Sequence, residues 1–275
     1  MQYMNEIFQD MWQDQDPFRE VDKLEGEIYR AVASRRTLRF AHQGRNYFAK
    51  IHKGVGWLEI AKNLVLFRKP VLGAREEWQA INKLKALGVE TMTVAAYGMK
   101  GINPAGMSSF IITEALENTV SLEDFCRPWP ENPPERRLKL ALIERLASIS
   151  RTLHDNGINH RDYYICHFLL DRDSVHDERE FADLTLHLID LHRSQIRTHT
   201  PFRWRVKDVS GLLFSAMEIG LTSRDLARFM QVYSGKSLRA TLQEDTRFWN
   251  RVLKRANDMY LEDRSVLPTS VMRWA

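Results

Sequence analysis

Three residues far apart in the chain, Lys50, Asp162 and Asp190, are of the types that phosphoryl transfer requires. That reaction asks little covalent work of a protein: phosphate charge must be neutralised, a metal held and a nucleophile aligned. Lys50 can do the first. Asp190 can hold Mg²⁺, a hard cation that prefers carboxylate oxygen. Asp162 ends the turn His160-Arg161-Asp162 and can accept the proton of a substrate hydroxyl or orient that hydroxyl. Each residue alone is more often structural than catalytic, and His-Arg-Asp recurs by chance in many chains. The case therefore rests on the elements that must present them.

Asp162 lies in the stretch Gly157 to Leu170, which starts where a long amphipathic helix stops. The spacing predicts that helix over Glu135 to Asp155, about six turns by its rise per residue. Leu138, Leu142, Leu146, Ile149 and Leu153 form its apolar stripe, and Asn156-Gly157 ends it. Phe168-Leu169-Leu170 reads as a strand and Arg172 to Asp183 as a polar excursion. Leu186 to Ile189 is a second strand, which delivers Asp190. Lys50 stands in the third of three short runs, Ile28 to Val32, Thr37 to Phe40 and Tyr47 to Ile51. Turns at Ala33 to Arg36 and at Gln43-Gly44 join them into an antiparallel meander. A surface lysine on an edge strand is the ordinary reading of such a residue.

Thr91 to Tyr97 and Ser109 to Leu116 bring the strands to five. Gly73 to Leu87 is a helix ended by Gly88, with Glu76 and Glu77 in its first half. Met4 to Lys23 is a polar lead-in with a helix after Asp16-Pro17. Trp57 to Arg68 has an apolar face at helical spacing, suited to a core or to a membrane interface. Ser121 to Asp124 resembles a capping box. After the break Arg127-Pro128-Trp129-Pro130, helical patterns dominate: Val209 to Ile219, Ser223 to Tyr233, Ser237 to Gln243 and Phe248 to Leu261. Strands first and helices second predict an α+β fold, divided into residues 1–116 and 117–275.

Composition bounds the partners. Of 275 residues, 44% are hydrophobic and 28% charged, enough for a sizeable core. Lys and Arg number 40 against 36 Asp and Glu, and the formal charge of +4 is too small to imply nucleic acid. The two cysteines, Cys126 and Cys166, form no Cys-x-x-Cys pair, which argues against a disulfide framework and fits a reducing compartment. No secretory signal is visible, and no run approaches the roughly eighteen apolar residues of a spanning helix, so a cytoplasmic protein is expected.

The order of these parts is similar to that of protein kinases, where the Asp of such a turn is the catalytic base. In that likeness Lys50 is the strand lysine that neutralises the phosphates of ATP, and Glu77, or the adjacent Glu76, orients it. Glu114 to Leu116 falls where a hinge presents backbone groups to adenine. The runs Asn159 to Leu170, Ile189 to Arg193, Ala49 to Gly54, Gly73 to Ile81 and Arg203 to Asp208 resemble the lipopolysaccharide core heptose(I) kinases over roughly Asp16 to Leu261. The resemblance implies a two-lobed protein-kinase-like fold, with a small five-stranded antiparallel sheet and C-helix before a larger helical lobe. It also implies ATP-dependent phosphorylation of the first inner-core heptose at O4, at the cytoplasmic face of the inner membrane. Carried over by motif, Lys50, Glu77, Glu114 and Leu116 bind ATP, Asp162 is the base and Asp190 holds Mg²⁺. The family further implies a lipid A-core oligosaccharide acceptor and acyl carrier protein as a partner.

Three departures from the general kinase pattern stand out. The turn Ala33 to Arg36 lacks glycine, so Ser34, Arg35 or Arg36 would have to meet the phosphates. His167 stands five residues after Asp162, where protein kinases place a metal-binding Asn; imidazole is a softer ligand, leaving one or two metal ions open. Asp190 is followed by Leu-His rather than Phe-Gly. Between Leu191 and Lys207 there is no acidic residue, while Arg193, Arg197, Arg203, Arg205 and Lys207 all occur. A solvated basic loop is the ordinary reading; the functional one is an acceptor site for carboxylates and phosphates. Asp208 is expected to brace the catalytic turn. A kinase of the adjoining Kdo sugar and a non-catalytic pseudokinase scaffold are the competing readings. A metal site built from His154, His160 and His167 is set aside, because turn and strand impose no ligand geometry on them.

Overall fold

The structure is a computed structural model that describes the chain apart from residues 33, 55, 58–72, 104, 176–180, 182–183 and 267–275. The chain divides into two compact units. The first holds Met1–Lys83, Met92–Glu117 and Leu191–Arg193; the second holds Leu84–Thr91, Asn118–Asp190 and Ser194–Ala275.

The first unit is built on one antiparallel sheet. Its strands are β1 (Gln2–Met4), β2 (Glu27–Val32), β3 (Arg35–His42), β4 (Arg45–His52), β5 (Val94–Lys100) and β6 (Ser108–Glu114), in the order β1-β5-β6-β4-β3-β2. The five expected strands are joined by a sixth, β1, which pairs Tyr3 with Tyr97. Three residues carry too little pattern to announce a strand; long-range pairing creates it. The turn before β3 is also shorter than its sequence suggests. Arg35 and Arg36 already lie in the strand, paired with Val32 and Ala31.

Helices α1 (Glu6–Met11) and α2 (Pro17–Lys23) cover one face of the sheet. Asn5 caps the first and Asp16 the second, with Pro17 at the first helical position. Phe8, Trp12 and Val21 pack there on Leu38, Phe40, Tyr47, Ala49, Phe110 and Ile112. Because strand side chains alternate, Tyr47, Ala49 and Ile51 enter this core while Lys50 takes the other face. Helix α3 (Arg75–Ala86) follows. It buries Glu77, Ala80, Ile81 and Leu84, one stripe at helical spacing, and Gly88 (φ +70°) stands just past its end. The helix expected over Trp57 to Arg68 lies, beyond its first residue, outside the described residues.

The second unit is mainly helical: α4 (Leu122–Cys126), α5 (Arg136–Asp155), α6 (Phe202–Ser215), α7 (Ser223–Ser234), α8 (Leu238–Glu244) and α9 (Thr246–Arg264). Its core joins Ala147 of α5 to Val206 and Val209, Met230 and Tyr233, and Phe248, Trp249 and Val252. A second, almost wholly apolar cavity wall runs past Leu122, Leu142, Leu146, Leu212 and Phe229. Strands β7 (Thr119–Ser121), β9 (Phe168–Asp171) and β10 (Leu186–Leu188) form a small sheet, and β8 (Ile158–Asn159) pairs with β11 (Gln195–Ile196). The expected hairpin is present as β9 and β10, with Leu188 opposite Phe168. The polar excursion between them is described only through Val175 and at Phe181. The basic segment is not one loop, because α6 starts at Phe202 and takes in Arg203, Arg205 and Lys207.

Candidate active site

Lys50 is central in its sheet. It sits opposite Thr37 on β3 and Ile111 on β6, so the edge-strand reading does not hold. Its Nζ donates to Glu77 Oε1 at 2.6 Å. Glu77 is fully buried, whereas Glu76 is only half-buried. The sequence leaves the choice between the two acids open, and the structure makes it: Glu77 shares the buried stripe of Ala80, Ile81 and Leu84, and Glu76 lies off it. Trp78 stacks on Tyr97, with ring centroids 4.8 Å apart, which fixes the rotation of α3 against β5. His52, two residues beyond Lys50, is driven down to about 3 by burial and by Arg35, Lys50 and His192, so it is neutral at pH 7.

Arg36 is turned away from the loop end towards α2. Its guanidinium donates to the carbonyls of Val21, Asp22 and Leu24, at 3.0–3.2 Å, and so closes the end of α2. Glu114 ends β6, and its backbone N–H donates to Thr93 O. Its carboxylate lies 3.9 Å from Arg45, and Leu116 follows half-buried. Arg193 ends a short 3₁₀ turn, Leu191–Arg193, in this same unit.

Asp162, His167, Asp190, Arg197, Arg203 and Arg205 belong to the second unit. The turn that carries Asp162 begins at Gly157, whose φ of +77° favours glycine and where a Cβ would strike the Arg197 carbonyl. The turn is then held from beneath by Asp208. Its two carboxylate oxygens accept from the backbone N–H of His160 (2.6 Å) and of Arg161 (2.9 Å), as expected of a brace. Arg161 has φ +79°, a conformation that costs about 1–2 kcal/mol for a residue with a Cβ, and its bond to Asp208 offsets that cost. On the far side Tyr163 is buried, with its hydroxyl 2.9 Å from Ser150 Oγ on α5.

Asp208 is itself part of a buried polar network that the sequence does not announce. His154 Nε2 lies 3.5 Å from it, His154 Nδ1 is 2.8 Å from the Tyr233 hydroxyl, and Arg205 Nε donates to that hydroxyl at 3.0 Å. The Arg205 guanidinium also lies over the rings of Tyr233 and Phe248. Arg205 is thereby tied to the network around the brace, because its position on α6 turns it towards the helical core. No periodicity argument reaches this network, since its members come from three helices.

Asp190 follows β10 with φ +60°, a conformation that Asp tolerates better than most residues. His160, fully buried and pushed below the ordinary histidine value by that burial, places Nε2 2.9 Å from Ile189 O and so fixes the peptide before Asp190. His167 Nδ1 is 2.7 Å from Asp162 O, and its Nε2 faces Asp190 Oδ2 at 3.7 Å. Burial works against a charged His167. Hydrogen bonds to Cys166 and the Asp162 carbonyl, with Asp190 nearby, outweigh it and push the group up to about 9.

Among the described residues no three His, Cys, Asp or Glu side chains cluster as a self-sufficient metal site. Mg²⁺ seldom needs one, since it keeps waters and uses one or two carboxylates with substrate phosphates. Asp190 and the facing His167 Nε2 fit such a site, in competition with the proton that His167 otherwise holds.

Arg197 donates to Asn159 Oδ1 at 2.5 Å and to Gln195 Oε1. It also lies over the Trp204 ring, as does exposed Arg203. A sheet lysine bound to a helix glutamate, a braced His-Arg-Asp turn, and a hairpin ending in Asp define a kinase of the protein-kinase-like fold. The model of the Lipopolysaccharide kinase (Kdo/WaaP) family matches residues 19–233, and the chain belongs to that family. The lipopolysaccharide core heptose(I) kinase WaaP of Pseudomonas aeruginosa PAO1 is 49% identical over 257 residues, covering 94% of this chain and 95% of that relative. The protein of the same name from Escherichia coli K12 is 52% identical over 240 residues, covering 87% and 89%. The solved structure of WaaP in complex with acyl carrier protein has a TM-score of 0.82 at 44% identity, covering 94% of this chain and 99% of that one.

Proposed function

We propose that this chain transfers the γ-phosphoryl group of ATP to the first heptose of the lipopolysaccharide inner core, at O4. The observation that carries the kinase chemistry is the Lys50–Glu77 pair at 2.6 Å, which holds a positive charge ready for phosphate. The acceptor follows from relatives of about half identity that are named core heptose(I) kinases; those names favour heptose over the neighbouring Kdo. Lys50 neutralises phosphate, and the backbone of Glu114 to Leu116 receives adenine. Asp162 orients the acceptor hydroxyl and takes its proton. Asp190, with His167, holds Mg²⁺, which when bound supplies charge neutralisation on the phosphates. Arg193, Arg197 and Arg203 bind the anionic acceptor.

No helix among the described residues is long and apolar enough to cross a membrane. We place the protein in the cytoplasm, at the inner face of the inner membrane, in peripheral contact with its lipid acceptor. Acyl carrier protein is its proposed partner, because WaaP is solved in complex with it.

The test is mass spectrometry of core oligosaccharide from a strain lacking the protein, complemented with wild type or Asp162→Ala. One phosphate should be missing from the first heptose, return with wild type and stay absent with the variant, whose kcat should fall about 10²–10⁴-fold. Restoration by Asp162→Ala would instead make the protein a scaffold.

A further inference from the structure

Helices α6 and α9 border a groove of about 620 Å³ within the second unit. Arg203 and Lys207 line it from α6, and Arg247, Arg251, Lys254 and Arg255 from α9. Two carboxylates, Asp258 and Glu262, share the described lining with these six cations, and Asp258 is paired with Lys254 at 3.1 Å. Arg251 and Arg255 are exposed and have no carboxylate partner among the described residues. Arg247, Arg251 and Arg255 follow one another at four-residue spacing, so their like charges repel along a single helix face. A convex basic face is usually no more than solvated. A concave one concentrates positive potential and disfavours itself unless an anion enters.

The groove also has a direction. Trp204 forms part of its wall, and the ring lies 5.1 Å from the Arg203 guanidinium and 5.6 Å from Lys207 Nζ. The guanidiniums of Arg161 and Arg197 lie over the same ring at 5.5 and 5.9 Å. Arg161 immediately precedes Asp162. A continuous track of cations thus leads from the catalytic turn, across one indole, into the α6–α9 groove.

We infer that this groove is an extension of the acceptor site, which binds the phosphate and carboxylate groups that the acceptor glycolipid carries away from its reacting hydroxyl. The inference rests on the acceptor proposed above. It assigns Arg247, Arg251, Lys254 and Arg255, more than eighty residues beyond the catalytic turn, a task in substrate recognition. Arginine suits that task through its bidentate fork.

The test is equilibrium binding of detergent-solubilised, lipid-bearing core acceptor to the full chain without ATP, comparing wild type with Arg251→Glu/Arg255→Glu. Both positions are exposed, the carboxylate at 251 gains Arg247 as a favourable neighbour, and the 251–255 pair stays like-charged as it is in the wild type, so the fold should persist with an unchanged melting temperature. The acceptor Kd should rise about tenfold or more while the ATP Kd stays put. High salt should shrink the difference, and a dephosphorylated acceptor should feel it less. Arg251→Gln/Arg255→Gln gives a smaller shift of the same sign should the reversal not fold. An unchanged acceptor Kd, or an equal rise for ATP, overturns the inference. So does lost binding to phosphatidylglycerol vesicles with acceptor affinity intact, which would make the groove a membrane contact. Turnover of the same acceptor by wild type is scored separately: its absence would refute the acceptor hydroxyl proposed above, while the binding comparison still decides the groove.

Discussion

Lys50 and Glu77 show how far a single residue can be argued from the chain alone. A lysine at the right place in a strand was visible, but whether that strand is an edge or a centre was not, because that depends on β6, about sixty residues later. A buried ion pair gives stability only while both partners remain. Glu77→Leu should therefore cost about 3 kcal/mol in a denaturant titration, leaving an ammonium in a site only 16% exposed. Adding Lys50→Met should recover most of that loss without restoring any phosphoryl transfer. A double variant as unstable as the single would show that Glu77 is needed for packing rather than for the lysine. Arg36 and Arg205 make the complementary point. Both looked available for anions, and both are committed within the fold, one to the end of α2 and the other to Tyr233.

At the scale of elements, α6 decides how the catalytic turn is held. Its Asp208 satisfies two consecutive backbone N–H groups that would otherwise be buried without acceptors. Asp208→Ala should lower stability by about 2–4 kcal/mol and reduce kcat with little change in the KM for ATP. Asp208→Asn keeps one acceptor oxygen and should recover part of both. An Asp208→Ala enzyme with full kcat would remove the brace from the account. The boundaries of α5 and α7 were legible from local chemistry: Asn156-Gly157 ends the first, and Thr222 with Asp225 forms a capping box at the start of the second. The early start of α6 was not legible. Phe202 to Lys207 looks like part of a basic loop until Val206 and Val209 find the core formed with α7 and α9.

For the whole molecule, buried histidines predict how stability follows pH. His52, His160 and His187 are all held below the ordinary histidine value, chiefly by burial. Between about pH 6.5 and the folded value, about 3 for His52, the unfolded chain binds the protons that the folded chain refuses. Stability therefore falls as pH falls through that window, by up to about 1.4 kcal/mol per pH unit for each group. His167 runs the other way: its contribution is present below about 6.5 and lost as pH rises through about 9. Denaturant midpoints measured from pH 7 to pH 4 should decline, and His52→Gln should flatten the decline. An unchanged slope in that variant would mean that His52 takes its proton without unfolding.

The sequence by itself determined the repeating patterns, the caps, the glycine stops and the order of strands before helices, and with them the family. These depend on neighbours within a few residues, where backbone sterics and side-chain period act directly. Only the tertiary structure decided which of two adjacent glutamates meets Lys50, which arginines are committed to the fold and which line an open groove, and that a three-residue N-terminal strand exists at all. Those outcomes depend on how helices rotate and strands register against partners tens of residues away, and that free energy comes from packing that no local pattern encodes.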